Sequence, residues 1–291
     1  MNGILLVDKP QGWTSNDVVI KLKGVMHQRR VGHSGTLDPM ATGLLAVFLG
    51  RATRAVAFSE AQTKRYIASL RLGITTDTQD ITGNVLNDKK VDITQEQLEE
   101  CAKKFTGDIV QIPPMYSAVK VNGQRLYKIA RNGGEVERTG RNIRIDNISV
   151  IGRDGDDYVL DIICSKGTYI RTLCNDIGAA LGCGGCMSAL RRVSIGAFSV
   201  DDAFSIEQIQ QKAAEGDAES LIIPVDTLFS EYPQFIADER QERKIRCGND
   251  TPCTAPNGKY RVYSGDGEFL MLGSAENGRM YTVKSFFEVS T

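Results

Sequence analysis

No steady alternation of strand and helix runs through these 291 residues. Strand-like runs and capped helices follow one another irregularly, and this limits the fold more than any other feature. A doubly wound parallel sheet needs a crossover, usually a helix, between its parallel strands. The irregular order points instead to an α+β chain with a mixed, largely antiparallel sheet. Residues 3–7 read as a short strand ending in the turn Asp8-Lys9-Pro10-Gln11-Gly12. Ser15 is expected to cap a helix whose apolar positions Val18, Val19, Leu22 and Val25 lie at helical spacing. Residues 44–49 and 66–72 read as strands, with a helix around 52–61 between them. Thr94 and Gln97 form a capping box opening a helix through Phe105, and 124–131 reads as a short basic helix stopped by Gly133-Gly134. Strands around 144–151 and 158–164 precede a helix over 168–181, closed by Gly182. Residues 192–200 suggest another strand, and Ser205 with Gln208 caps a further helix.

The texture changes after about Glu231. Three strand-like runs, at 260–263, 269–273 and 280–286, are separated by Gly-rich turns and predict a small β-domain. The expected division is one domain over 1–230 and a second over 231–291.

Charge does not advertise a polyanionic partner. Thirty-five basic residues face 36 acidic ones, for a net charge of −1, which excludes a non-specific polyanion binder on bulk composition. Distribution is less even. Between Lys120 and Arg144 seven basic residues (Lys120, Arg125, Lys128, Arg131, Arg138, Arg141, Arg144) outnumber two acidic ones, Glu135 and Glu137. Such a stretch suits a phosphate-facing surface and a merely solvated loop about equally. Seven cysteines, an odd number, fit a reducing cytosol better than a disulfide framework. No apolar run is long enough to span a bilayer and the first residues lack a signal-peptide pattern, so the expected location is cytoplasmic, without a membrane partner.

The densest signal is Gly32-His33-Ser34-Gly35-Thr36-Leu37-Asp38-Pro39-Met40-Ala41-Thr42-Gly43-Leu44-Leu45. Glycines flanking a polar cluster, followed by Asp-Pro, describe a tight loop that presents one carboxylate just ahead of a buried strand. Pro39 restricts Asp38 to extended backbone, which fixes where the carboxylate points. On these residues alone a plain turn is the commoner explanation, because Asp-Pro is ordinary turn chemistry.

This stretch resembles the catalytic loop of the TruB family of pseudouridine synthases, with the pattern G-H-x-G-T/A-L-D-P-x-A-x-G-L-L. Further segments resemble that family in the same order. They are Gly3-Ile4-Leu5-Leu6-Val7-Asp8-Lys9-Pro10-Gln11-Gly12-Trp13-Thr14-Ser15, then Lys64-Arg65-Tyr66, Leu72-Gly73 and Thr76-Asp77-Thr78-Gln79-Asp80-Ile81-Thr82-Gly83. Next come Ile112-Pro113-Pro114-Met115-Tyr116-Ser117-Ala118, Ser165-Lys166-Gly167-Thr168-Tyr169-Ile170-Arg171-Thr172-Leu173, and Leu190-Arg191-Arg192 through Gly196-Ala197-Phe198. The resemblance covers about the first 230 residues closely. The tail resembles, in outline, the family's small PUA-type RNA-binding domain.

The resemblance implies isomerisation of a uridine in the tRNA T-loop, at position 55, on a base flipped out of its stack. It implies Asp38 as the catalytic carboxylate, Arg171 as its ion-pair partner, and Tyr66 packed on the target base and placed to move the C5 proton. Tyr169 would line the pocket, His33 would hold the flipped nucleotide, and Leu190 would touch the base. The basic stretch, about 115–144, would be the insertion that presses on the T-arm. The residue types suit the chemistry. Cutting N1–C1′ and rejoining through C5 needs an anionic group, water exclusion and an aromatic surface for the extracted base.

Taken singly, Tyr66, Tyr169 and Leu190 are as readily core residues, Arg171 a simple ion pair and His33 a turn-stabilising polar group. Cys183-Gly184-Gly185-Cys186 has ligand spacing, but Cys164 and Cys174 are spaced too widely to complete a compact zinc set. Neither a phosphate loop nor a dinucleotide fingerprint appears, so no cofactor and no metal are expected. Three other readings stand beside the isomerase: an RNA-folding chaperone, the catalytic subunit of a guide-RNA particle, and a uracil-releasing hydrolase. Asp38, Tyr66 and Arg171 together disfavour pure binding. The short tail without basic extensions favours a stand-alone monomer that uses no guide RNA.

Overall fold

A computed structural model describes residues 1–117, 119–121 and 123–287. Ala118 of the Pro-Pro-Met-Tyr-Ser-Ala segment lies outside the described residues, as does the side chain of Arg131 in the basic stretch.

The chain opens with β1 (Gly3–Lys9), followed by α1 (Ser15–Val25), β2 (Val31–Ser34) and β3 (Thr42–Leu49). In β1 and β3 nearly every residue is buried, because both faces of this part of the sheet are covered. Ile4, Leu6, Leu44, Ala46 and Phe48 serve one apolar cluster, and Leu5, Val7, Leu45, Val47 and Leu49 serve another with Val18 and Leu22 of α1. A 3-10 turn over Gly50–Ala55 leads into α2 (Val56–Ala61) and then β4 (Lys64–Leu72). In β4 burial alternates, with Tyr66, Ala68, Leu70 and Leu72 facing a third core.

A hairpin of β5 (Ile74–Thr76) and β6 (Val85–Asp88), then α3 (Gln95–Lys103) and β7 (Gly107–Gln111), come next. The two-residue strands β8 (Lys120–Val121) and β9 (Gln124–Arg125) pair only with each other and lead into α4 (Leu126–Arg131). The long pair β10 (Arg141–Asp154) and β11 (Asp157–Cys164) precedes α5 (Ile170–Ala180), β12 (Gly185–Ile195), β13 (Phe198–Ser199) and α6 (Ile206–Ala214).

The main sheet has nine strands in the order β1-β3-β12-β4-β11-β10-β7, with β2 on β3 and β13 on β12. Its one parallel pairing is short: Arg191 and Arg192 of β12 lie opposite Thr42 and Gly43 of β3. The rest of that edge of β3, Ala46 to Leu49, is taken by β2 running antiparallel. Two strands thus divide one edge, and the loop 35–41 emerges where they part.

The C-terminal unit consists of β14 (Gln234–Ile236), α7 (Glu239–Arg246), β15 (Thr251–Pro252), β16 (Gly258–Tyr263), β17 (Phe269–Glu276) and β18 (Arg279–Ser285). Its five-stranded sheet runs β14-β16-β17-β18-β15 around its own core of Ile245, Val262, Leu270, Met271 and Met280. Phe269 and Phe286, stacked at 5.3 Å, join Ile4, Phe48 and Phe229 and so bind this unit to the main sheet.

Several boundaries differ from expectation. Thr14, not Ser15, caps α1, in a reciprocal box with Asp17, which frees Ser15 for another task. The helix expected from residue 124 begins at Leu126, because Gln124 and Arg125 are drawn into a ribbon with Val121 and Lys120. The strand expected at 192–200 begins at Gly185 and breaks after Ile195, where Gly196 (φ 54) makes a turn. Gly32 to Ser34, read as loop, are strand β2.

Candidate active site

The loop 35–41 is fixed from several directions. Leu37 and Ala41 are buried in the same core as Tyr66 and Leu190, and the Ala41 amide donates to the Asp38 carbonyl at 3.0 Å, closing a turn with Pro39 inside it. The Ser15 hydroxyl accepts from the Leu37 amide at 2.9 Å and donates to the Leu37 carbonyl at 3.1 Å. On the other side of Asp38, the Pro39 carbonyl accepts from the Gly12 amide at 2.8 Å and from Lys9 Nζ at 3.4 Å. Lys9 also donates to Trp13 O at 2.6 Å and Pro10 O at 2.9 Å. Burial lowers Lys9 to about 8, with Asp38 pulling the other way. The segment that opens the chain therefore works as a clamp on the loop around Asp38.

Below the loop lies Arg192, 1% exposed. Its Nε donates to Leu44 O at 2.7 Å and its Nη2 to Gly35 O at 2.9 Å. A Cβ at Gly35 (φ 70) would sit 3.1 Å from Arg192 Nη1, and one at Gly43 (φ 96) would sit 2.3 Å from the Arg192 carbonyl. Only glycine suits both positions.

Asp38 points toward Arg171 in the first turn of α5, with Nε to Oδ2 at 3.0 Å. The same guanidinium reaches Asp80 Oδ2 at 3.2 Å, Thr78 O at 3.2 Å and Tyr116 O at 2.9 Å. Asp80 is buried too; its other oxygen accepts from Thr78 Oγ1 and the Thr82 amide at 3.0 Å each, and from Thr82 Oγ1 at 2.5 Å. Arg171 is thus a hub for three segments, its planar fork suited to satisfying several acceptors at once. The Asp38 side chain remains 39% exposed against 7% for Arg171, so the acid faces an opening and the base lies behind it. Burial raises Asp38 above the ordinary carboxylate range; Arg171 opposes that rise, Asp80 adds to it and Lys9 opposes it.

Tyr66 of β4 pairs in register with Arg192, and Leu190 pairs with Ala68. Both side chains are 9% exposed and belong to the core that holds Leu37 and Ala41, which gives the carboxylate an apolar floor. Burial raises the Tyr66 phenol, and the nearby Arg192 guanidinium counters it. Tyr169 stands at the start of α5, where no side chain of its own caps the helix; Gln111 brackets its backbone instead, accepting from Tyr169 N at 2.8 Å and donating to Tyr169 O at 3.0 Å. His33 on β2 is half-buried opposite Val47. Burial and Arg192 lower its pKa, leaving a neutral imidazole whose buried Nδ1 has no hydrogen-bond partner among the described residues.

The fold pairs Asp38 with Arg171, and places Tyr66 and Leu190 in the core that also holds Leu37 and Ala41 of the Asp38 loop. Tyr169 adjoins them through its place before Arg171, and His33 is linked to them through Arg192. Sequence reasoning misses Lys9, Asp80, Gln111 and Arg192, and gives Ser15 a different role. Lys9, Ser15, Asp80 and Arg192 fall inside the family-like segments, yet only burial separates a structural ion from a surface one. The basic stretch is less free than its composition suggests. Arg144 pairs with Asp146 at 2.8 Å and Asp108 at 3.1 Å, and Arg138 pairs with Glu135 at 3.3 Å and donates to Pro113 O at 3.3 Å.

Comparison with known proteins follows the same lines. The model of the TruB family pseudouridylate synthase N-terminal domain matches residues 23–170, and that of the tRNA pseudouridylate synthase B C-terminal domain matches 171–230. A tRNA pseudouridine synthase B from Clostridium kluyveri is 41% identical over 295 residues, covering 98% of this chain and 100% of the relative. The one from Bacillus anthracis is 42% identical over 268 residues, 88% of this chain and 87% of its own. Among solved structures, a Cbf5-Nop10-Gar1 complex superposes with TM-score 0.75 at 25% identity, covering 99% of this chain and 85% of that one. An H/ACA RNP bound to a substrate RNA containing 2'-deoxyuridine superposes with TM-score 0.74 at 23% identity, over 99% and 86%.

Proposed function

The chain is a member of the TruB family of pseudouridylate synthases, and from that premise we propose that it isomerises the uridine at position 55, in the T-loop of tRNA, with Asp38 as the catalytic carboxylate. Conversion of a tRNA uridine to pseudouridine agrees with the names of its relatives. The observation that carries the finer reading is the Asp38–Arg171 pair at 3.0 Å, set at an opening above an apolar floor.

In this reading the target base leaves its stack and rests on Tyr66 and Leu190, which recover part of the lost stacking and exclude water. Asp38 acts as an anion while the N1–C1′ bond breaks, the uracil turns, and the C5–C1′ bond forms. C5 then gives up its proton and N1 gains one, so the reaction is balanced without any oxidant or reductant. Tyr66 is the group placed to move the C5 proton, its hydroxyl releasing one proton as it takes up the other. Arg171 favours the ionised form of Asp38 against its burial. His33 helps to hold the flipped-out nucleotide, and Tyr169 lines the opening. Residues 1–230 form the catalytic domain, the basic insertion over about 115–144 grips the T-arm backbone, and 231–291 are a PUA-type RNA-binding domain. The enzyme works in the cytoplasm as a monomer, without a guide RNA.

The test is incubation of the purified protein alone with unmodified tRNA transcript, followed by mapping of pseudouridine. A single modified T-loop uridine supports the reading. Modification elsewhere, release of free uracil, or dependence on an added guide RNA overturns it.

A further inference from the structure

At the opposite end of β1, β2 and β3 from Asp38 lies an open cleft of about 520 Å³. Arg29, Arg30 and Arg51 line it with His27, Gln28 and Asn2, and among the described residues no acidic side chain does. His27 takes a left-handed backbone (φ 48) just past the end of α1, which turns the chain sharply into the Gln28–Arg30 segment. Arg29 and Arg30 are exposed and make no side-chain hydrogen bond or ion pair among the described residues. The α1 C-terminus offers only about half a negative charge, fading within a turn, so both guanidinium charges remain uncompensated. In a chain of net charge −1 this concentration is local rather than general. The cleft adjoins the C-terminal unit, since Arg51 donates to Phe287 O and Arg54 donates to Ser285 O at 3.0 Å.

We propose that this cleft binds a backbone phosphodiester of the tRNA substrate, away from the reacting nucleotide. Two guanidinium groups with open forks, and no carboxylate beside them among the described residues, fit a phosphate better than any neutral ligand. The distance narrows which phosphate. β1 has seven residues and β3 eight, and at ~3.4 Å per residue the cleft lies about 25 Å from the Asp38 loop. A phosphate that far from the reacting nucleotide belongs to a stem rather than to the target loop. The proposal rests on the reading of tRNA as substrate.

The experiment compares wild type with an Arg29→Gln, Arg30→Gln double variant and an Arg29→Lys, Arg30→Lys variant. Affinity for full-length unmodified tRNA transcript is measured at several salt concentrations, together with affinity for a target-loop hairpin on a stem of about three base pairs, too short to reach the cleft. The glutamine variant is expected to bind full-length tRNA several-fold more weakly. Its slope of log affinity against log salt should be shallower by about 0.7–0.9, the change for one phosphate no longer neutralised. The lysine variant should keep the wild-type slope, turnover at saturating tRNA should be unchanged, and hairpin affinity should not move. An unchanged slope on full-length tRNA overturns the proposal, and so does an equal loss on the short hairpin. Isomerisation by wild type is scored separately, so normal modification with an unchanged slope refutes the cleft alone, whereas no modification at all refutes the function reading.

Discussion

The loop that carries Asp38 and the basic segment from Lys120 to Arg144 are the two stretches of sequence most suggestive of function, and they are built in opposite ways. The loop is seven residues long, yet Ser15, Gly12, Lys9 and Arg192 all hold its backbone and two of its own side chains are buried. The basic segment is longer, but its strands have two residues each, its helix has six, and most of its polar side chains face solvent. A carboxylate that must act on one bond needs a fixed position, because small misplacements cost rate steeply. A surface that follows an RNA backbone needs charge rather than geometry, and can gain order from its partner.

The contrast is sharpest at Asp38 itself. Asp38→Asn keeps the shape of the loop and removes the anion, so isomerisation should fall by on the order of a thousandfold or more while tRNA affinity survives. Near-normal turnover would remove Asp38 from the chemistry. In the wild type, burial holds the acid above its ordinary 3.8. In the proposed reaction the ionised form is the reactive one, so kcat/KM should decline as pH falls through a value above the usual carboxylate range. A decline placed at or below 3.8 would contradict the burial argument.

Arg171→Met strikes the hub behind the loop. It leaves Asp80 buried without its cation, which should destabilise the protein by about 3–5 kcal/mol, and it frees the loop, so turnover should fall by roughly two orders of magnitude. Thermal melting and single-turnover assays measure the two losses. A fall in affinity with turnover intact would mean that Arg171 serves RNA binding instead.

Ser15→Ala tests rigidity with little change of charge. Losing two buried hydrogen bonds to Leu37 should cost about 1–3 kcal/mol and lower kcat around tenfold, with KM for tRNA unaffected. If kcat is unchanged, the clamp is not needed for catalysis.

The smallest effects belong to the basic segment. Replacing Lys120, Lys128 and Arg141 by glutamine should raise KM several-fold and flatten the salt slope by about 0.7–0.9 for each phosphate that loses its cation. Replacing Arg144 alone should change the slope less, since Asp146 and Asp108 already neutralise it. An Arg144 effect as large as that of Arg141 would mean that RNA displaces both carboxylates.

Much of this is legible in residue order. The irregular rhythm of the elements implies the α+β class; alternating patterns locate β4 and β11, because burial on one face leaves a period-two trace, and Gly-rich turns mark off the last three strands. The loop around Asp38 stands out for its glycines and Asp-Pro. What escapes are pairings between distant segments. Ser15 reads as a helix cap because it precedes an apolar period, but Thr14 has Asp17 three residues later and takes that role. Arg192 and Lys9 draw no role from the sequence, since no local pattern distinguishes a guanidinium that bonds Leu44 and Gly35 from one in water. For Arg138 and Arg144 the distant partners, Pro113 and Asp108, are not legible in residue order, although the nearby Glu135 and Asp146 are.

The Arg171 hub has a consequence for how the molecule is made. Its bonds reach back 55 residues to Tyr116, 91 to Asp80, and further still to Asp38. Contacts so distant along the chain close only after the loops between them have collapsed, and topology of this kind slows folding. The hairpins and helices can form earlier, from neighbouring residues. During refolding, activity will therefore return after the circular dichroism signal, and a chain arrested partway will have helices and strands but no pocket.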